Sequence, residues 1–192
     1  MDNHLHLKKI YVTMTCKFFY LGGAKMDIRI DHDKEHFKFR VCGILTHNGK
    51  YLFVKVQDNT FYCLPGGHAE IGEDTITATL REMREELGFE VKIKGLTGIA
   101  QNFYEREDGC LFHEFSYYYL VEAANEADIN PEDYVVMECD KGIMKRLAFK
   151  WLTEEEIKTS DCRPRFAAQI LNITKPKHII NKFGKEEVEE FV

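Results

Sequence analysis

The 192-residue sequence has no Cys-x-x-Cys pair, no internal repeat, no low-complexity tract and no surplus of basic charge. Its six cysteines, Cys16, Cys42, Cys63, Cys110, Cys139 and Cys162, are scattered, a pattern of reduced thiols rather than of a disulfide framework or zinc site. A formal net charge of −6 argues against broad, charge-driven binding to nucleic acid or anionic membrane. Long apolar runs are missing too. Ile10 to Ala24, IYVTMTCKFFYLGGA, follows Lys8-Lys9 much as a signal peptide's apolar region follows its basic one, but Lys17 interrupts it and it is too short for a membrane span. A natural start at Met26 and a packed N-terminal strand are the alternatives. What is present is an apolar fraction of 44%, enough to bury a core for one domain with extensions.

From Phe37 the pattern sharpens. Phe37, Phe39 and Val41 alternate with Lys38 and Arg40, and Cys42 to Leu45 then runs apolar, as a strand entering a core does. Asn48-Gly49 predicts a hairpin turn, with Tyr51 to Val56 as the return strand. Phe61 to Leu64 is a short apolar segment. Further strands are expected over Phe89 to Ile93, from Thr97 toward Tyr104, over Cys110 to Val121 and over Phe149 to Leu152. Thr153 with Glu156 is a capping-box signature, and Pro164 is expected to open another helix with Phe166, Ile170 and Ile173 inward.

Between these strands stands Pro65 to Phe89, PGGHAEIGEDTITATLREMREELGF. Pro65-Gly66-Gly67 forces a turn and permits close backbone approach. Glu73 and Asp74 sit where a helix N-terminus favours negative charge, and Thr75 to Leu87 reads as a helix closed by Gly88. Ile76, Leu80, Met83 and Leu87 form its expected buried stripe. Glu82, Glu85 and Glu86 share another face. Three carboxylates on one turn repel one another and call for cations, and an oxygen-only set suits Mg²⁺ or Mn²⁺ shared with substrate phosphates.

From Gly67, the order glycine, five residues, Glu73, seven residues, Arg81-Glu82-Met83, Glu85-Glu86, Gly88-Phe89 resembles the motif of the Nudix hydrolases, the MutT-like family. The resemblance implies an α/β/α sandwich with a mixed sheet between helices, and hydrolysis of the diphosphate linkage of a nucleoside diphosphate joined to a group X. It implies that Glu82, Glu85 and Glu86 bind metal and help activate water, that Glu73 assists the metal site, that Arg81 orients the glutamates, and that Gly67 shapes the loop at the metal. The expected organisation is an N-terminal extension over residues 1–35, the Nudix domain over 36–175 and a tail over 176–192. Cytoplasmic location, a nucleotide-type substrate, Mg²⁺ or Mn²⁺ as cofactor and no membrane partner follow as expectations. An RNA 5′ end is the one nucleic-acid partner retained, and a homodimer is left open.

Outside the motif the signals are weaker. Alternation puts Glu114 on the face shared by Phe112, Ser116 and Tyr118, which marks it as a metal or substrate ligand unless it simply pairs with a lysine or arginine. The aromatics of Cys110 to Val121 read first as core packing and second as a wall for a base, with Tyr118 the substrate candidate among them, and Tyr104 is a further substrate candidate. Some family members draw another catalytic carboxylate from the region of Glu126, Asp128, Glu132 and Glu138. Lys141, Lys145, Arg146 and Lys150 are a local basic excess that suits phosphate. Family members that cleave ADP-ribose often carry a proline about fifteen residues beyond the motif. Tyr104 and its neighbours stand there instead, which counts against ADP-ribose and toward dinucleoside polyphosphates. The readings kept are a hydrolase of a nucleoside triphosphate or other nucleoside diphosphate derivative, a dinucleoside polyphosphate or capped-RNA hydrolase, and a nucleotide-sensing module without catalysis.

Overall fold

The alternation from Phe37 and the Asn-Gly signal produce the first hairpin, in which Asn48 and Gly49 both take positive φ, at 49° and 74°. That is the geometry whose twist matches two paired strands. The computed structural model describes residues 12–15, 26–57, 59–140, 142–172 and 175–190. Among them run thirteen strands: β1 (Val12–Thr15), β2 (Arg29–His32), β3 (Glu35–His47), β4 (Lys50–Val56), β5 (Tyr62–Cys63), β6 (Gly66–His68), β7 (Val91–Glu105), β8 (Leu111–Ala123), β9 (Tyr134–Asp140), β10 (Ile143–Leu152), β11 (Cys162–Arg163), β12 (Lys177–Lys182) and β13 (Lys185–Glu190). Two α-helices accompany them, α1 (Thr75–Leu87) and α2 (Glu154–Thr159).

The sheet is mixed, in the order β1-β9-β10-β4-β3-β8-β7-β12-β13. On one side β3 pairs in parallel with β8 from Glu35 to Leu45. On its other side it changes partner along its length. Arg29 to His32 of β2 pair at its start, β6 pairs with Arg40 to Cys42, and β4 pairs only with Thr46 and His47. The sheet therefore forks between β6 and β4, and the fork positions the site.

Side-chain alternation divides the core across the sheet. Cys42, Ile44, Phe53 and Tyr118 pack with Ile157 of α2 and with Phe166 and Ile170 beside a 3₁₀ turn at Ala167–Gln169. Leu45, Leu52, Val54 and Tyr119 pack with Met83 and Leu87 of α1 on the other face. Helical elements thus cover both faces of one mixed sheet, and the fold is an α/β/α sandwich. Gly43 stands between Val41 and Leu45 because a Cβ there would strike the Met83 sulfur.

Several local expectations are corrected. Ile76 is 46% exposed, and the buried face of α1 is Ala78, Thr79, Met83, Glu86 and Leu87, since the helix must turn Glu86 toward the fork. The segment after Pro164 forms only the short 3₁₀ turn, with Phe166 and Ile170 buried as expected; Ile173 lies outside the described residues. Residues 176–192, expected as a tail, carry the β12–β13 hairpin, and β12 runs parallel to β7 with Ile179 buried. Most of Ile10 to Ala24 lies outside the described residues, apart from β1, which pairs in parallel with β9. No described helix is long and apolar enough to cross a membrane. The described cysteines, Cys42, Cys63, Cys110, Cys139 and Cys162, are all free thiols, and burial pushes Cys42 and Cys63 up to about 12.

Candidate active site

The carboxylate helix is fixed at both ends by its own sequence. Asp74 caps it, accepting from the Ile76 and Thr77 amides at 2.9 Å each. Gly88 closes it in the left-handed region at φ 81°, its N–H donating to the Arg84 carbonyl. Ahead of it, Gly66 holds φ at 138°, and any Cβ there would strike the Val41 carbonyl oxygen. At Gly67 a Cβ would strike the Glu82 carboxylate. Both glycines are therefore required by close approach, the first to β3 and the second to α1.

At the fork lies a cleft of ≈ 200 Å³. Glu82, Glu85 and Glu86 reach it from α1, Gly66, Gly67 and His68 from β6, Arg40 from β3, Glu138 from β9 and Lys145 from β10. Arg81 organises the acids. It donates from Nε and Nη2 to the two oxygens of Glu73, from Nη1 to Glu82 at 2.6 Å and to Glu85 at 3.3 Å, and from Nη2 to the His68 carbonyl. Glu73 accepts at both oxygens behind the cleft and does not line it.

Glu86 is the most enclosed of the cleft acids on α1, at 7% exposure, and accepts from the Gly66 amide at 3.0 Å. Burial, then the nearby charges of Glu82 and Glu138, push its carboxyl well above the usual range. Burial, then Arg40, pulls His68 down to about 4. The local charge is thus short of cations, and all its acidic donors are oxygens. That donor set fits a hard divalent ion. Among the described residues no three His, Cys, Asp or Glu side chains are already gathered as a metal shell, and Arg81 meanwhile engages Glu82 and Glu85.

Of the four acids expected as sources of a further carboxylate, only Glu138 lines the cleft. It is 7% exposed, held there because β9 pairs with β10 and places it opposite Lys145. Glu126, Asp128 and Glu132 lie on the loop before β9 and do not line the cleft. Lys145 lines it, whereas Arg146 and Lys150 do not, and Lys141 is outside the described residues. Glu114 is 8% exposed, accepts from the Ser116 hydroxyl at 3.1 Å and stands 3.8 Å from the Arg40 guanidinium. Tyr118 is 1% exposed and packs edge-on against Phe166 in the core, away from the cleft. Tyr104 stacks on Phe112, and burial, then Glu114, raises its phenol to about 12. Arg40 and His68 carried no functional signal in the sequence.

A protein of Methanocaldococcus jannaschii named ADP-ribose pyrophosphatase is 39% identical over 67 residues, which are 33% of this chain and 40% of that protein. A MutT-like protein of Streptomyces ambofaciens is 36% identical over 63 residues, 32% of this chain and 41% of that protein. The chain therefore spans only about two-fifths of the length of these relatives, 40% and 41%. The crystal structure of a MutT protein from Bacillus halodurans, 14% identical, superposes with a TM-score of 0.51 over 79% of this chain and 97% of that one, and shares the fold. The model of the NUDIX domain matches residues 34–171, most of the chain and every cleft-lining residue except Asp27. With the whole motif from Gly67 to Phe89 inside that match, the chain belongs to the NUDIX-domain family.

Proposed function

We propose that the protein is a divalent-metal-dependent pyrophosphohydrolase. It cleaves the diphosphate linkage of a nucleoside triphosphate or other nucleoside diphosphate derivative by attack of water on phosphorus. The observation that carries this reading is the convergence of Glu82, Glu85, Glu86 and Glu138 on one cleft, from a helix and from a separate strand. Glu82, Glu85 and Glu86 would hold Mg²⁺ or Mn²⁺. When bound, such an ion neutralises the diphosphate oxygens and lowers the pKa of water.

The chain's own groups do the rest. Arg81 steers Glu82 and Glu85, and its grip on Glu73 fixes the guanidinium in turn. The Gly66 amide orients Glu86. A carboxylate not engaged as a ligand takes the proton of the attacking water, and the lining of the cleft by Glu138 from β9, apart from the three acids of the helix, supports Glu138 in that role. The M. jannaschii relative's name supports a diphosphate linkage as target and keeps ADP-ribose among the substrates to be tried.

The test is phosphate release with Mg²⁺ or Mn²⁺ across nucleoside triphosphates, nucleotide sugars and dinucleoside polyphosphates, with pyrophosphatase and phosphatase as coupling enzymes. Metal-dependent turnover is expected, lowered roughly 10²-fold or more by Glu85→Gln with an unchanged circular dichroism spectrum. Folded wild-type protein inert on every member of the panel overturns the reading in favour of a capped-RNA substrate or a nucleotide-sensing module.

A further inference from the structure

The two arginines of the cleft differ in how their donors are used. All the hydrogen-bonding nitrogens of Arg81 have partners, in Glu73, Glu82, Glu85 and the His68 carbonyl. Arg40 has far less. Its Nη2 donates to the Gly66 carbonyl at 3.0 Å, and its Nη1 stands 3.8 Å from Glu114, beyond hydrogen-bond length. Its Nε is buried without a hydrogen-bond partner among the described residues.

His68 shares this condition. Arg40 and His68 are direct partners in the antiparallel pairing of β3 with β6, so their side chains leave the same face of the sheet. Both line the cleft. The Nε2 of His68, like the Nε of Arg40, is buried without a hydrogen-bond partner among the described residues. Two unmatched polar nitrogens on adjacent strands are costly to fold, and such groups commonly mark a place where something else binds.

The Gly66 peptide fixes where that place is. Its carbonyl accepts from Arg40 while its N–H donates to Glu86, so one peptide group joins the Arg40 wall to the carboxylate wall. A guanidinium fork beside a second ring nitrogen matches a group with several acceptor oxygens around one centre, and a phosphate is such a group. Asp27 and Glu70 also line the cleft and disfavour an anion, whereas Arg40 and Lys145 favour one.

We propose that Arg40 and His68 form a subsite for a substrate phosphate lying beyond the linkage held at the carboxylates, so that nucleoside triphosphates and longer polyphosphates are preferred over nucleoside diphosphate sugars. This rests on the hydrolase reading above. A neutral sugar in that position offers Arg40 Nε hydroxyl acceptors without charge; a further phosphate offers acceptors and charge together.

The test compares kcat/KM, with Mg²⁺, for pairs sharing a base: ATP against ADP-ribose, and GTP against GDP-mannose. Wild-type protein prefers the triphosphate. Arg40→Met lowers the ratio of triphosphate to sugar nucleotide at least tenfold, chiefly through KM for the triphosphate, and His68→Gln lowers it several-fold. Arg40→Lys restores the ratio only in part, because an ammonium cannot replace the fork. An unchanged ratio in these variants, with wild-type turnover intact, overturns the subsite. Wild-type protein that turns over neither member of a pair counts against the hydrolase reading instead. In that event calorimetric titration with inorganic tripolyphosphate and pyrophosphate in Mg²⁺ judges the subsite alone. Tighter binding of tripolyphosphate, erased by His68→Gln or Arg40→Lys, supports it, and equal wild-type affinities overturn it.

Discussion

Arg81 grips Glu73 through two parallel hydrogen bonds, Nε to Oε1 and Nη2 to Oε2, both 2.9 Å long. The Glu73 side chain is only 3% exposed, so this fork is its compensation for leaving water. The same guanidinium reaches Glu82 and Glu85, which ties the loop ahead of α1 to the acids of the cleft. Arg81→Lys keeps the charge and loses the fork. It is expected to cost about 2–4 kcal/mol of stability by leaving a buried carboxylate poorly paired, and to lower kcat as Glu82 and Glu85 lose their orientation. Thermal melts and steady-state kinetics on the same preparation check both effects.

At Gly67 the obstacle is a side chain rather than the backbone. A methyl group there meets the Glu82 carboxylate, so Gly67→Ala pushes that acid off its position while the backbone accepts the change. Activity is expected to fall tenfold or more, with the circular dichroism spectrum preserved. Gly66→Ala is worse, because φ of 138° and the Val41 carbonyl both oppose it. A melting temperature that falls further for Gly66→Ala than for Gly67→Ala is the expected order.

His68 contributes an acid-sensitive part of the stability. Its imidazole takes a proton near 6.5 when the chain is unfolded but only near 4 when folded, because burial and Arg40 oppose the charge. Between those two values the unfolded state binds more protons, so this contribution is complete above pH 6.5 and is lost as pH falls toward 4. Across that window the denaturant midpoint of wild type is expected to fall relative to that of His68→Gln as the pH drops. A constant gap between the two curves sinks the assignment.

Glu86 has the opposite sign. Its carboxyl is raised above 4.5 in the folded protein by burial, Glu82 and Glu138, so without metal its ionisation weakens the fold as pH rises. A divalent ion favours the ionised form, and binding therefore releases protons. The rise in melting temperature on adding Mn²⁺ is expected to be larger at pH 8 than at pH 6. Glu86→Gln is expected to flatten that difference.

The motif was legible because its spacing encodes a physical unit: a capped helix presenting three acids, and glycines where the backbone must pass α1 and β3. Strand alternation located Glu114 on the face of Phe112, Ser116 and Tyr118, where it lies buried. Less legible was anything decided by long-range pairing. Glu138 looked like Glu126, Asp128 and Glu132 until β9 and β10 turned it into the cleft. Arg40 read as one polar member of an alternating strand, but β3 is covered on both faces and its polar face borders the cleft. Tyr118 read first as a core residue and only second as a stacking ring, and its edge-on packing against Phe166 makes it core.

The changing partnership of β3 also bears on how the molecule assembles. The β3–β4 hairpin and α1 are local in sequence, whereas the parallel pairing joins Glu35 to Leu111 and that of β12 with β7 joins Lys177 to Gly98. Distant pairings close late, after the entropy of the intervening chain has been overcome. The acids of α1 are thus brought together early by a nascent helix, but Glu138 joins them only when the two branches of the fork dock. A chain arrested before that step carries the complete motif and lacks a cleft.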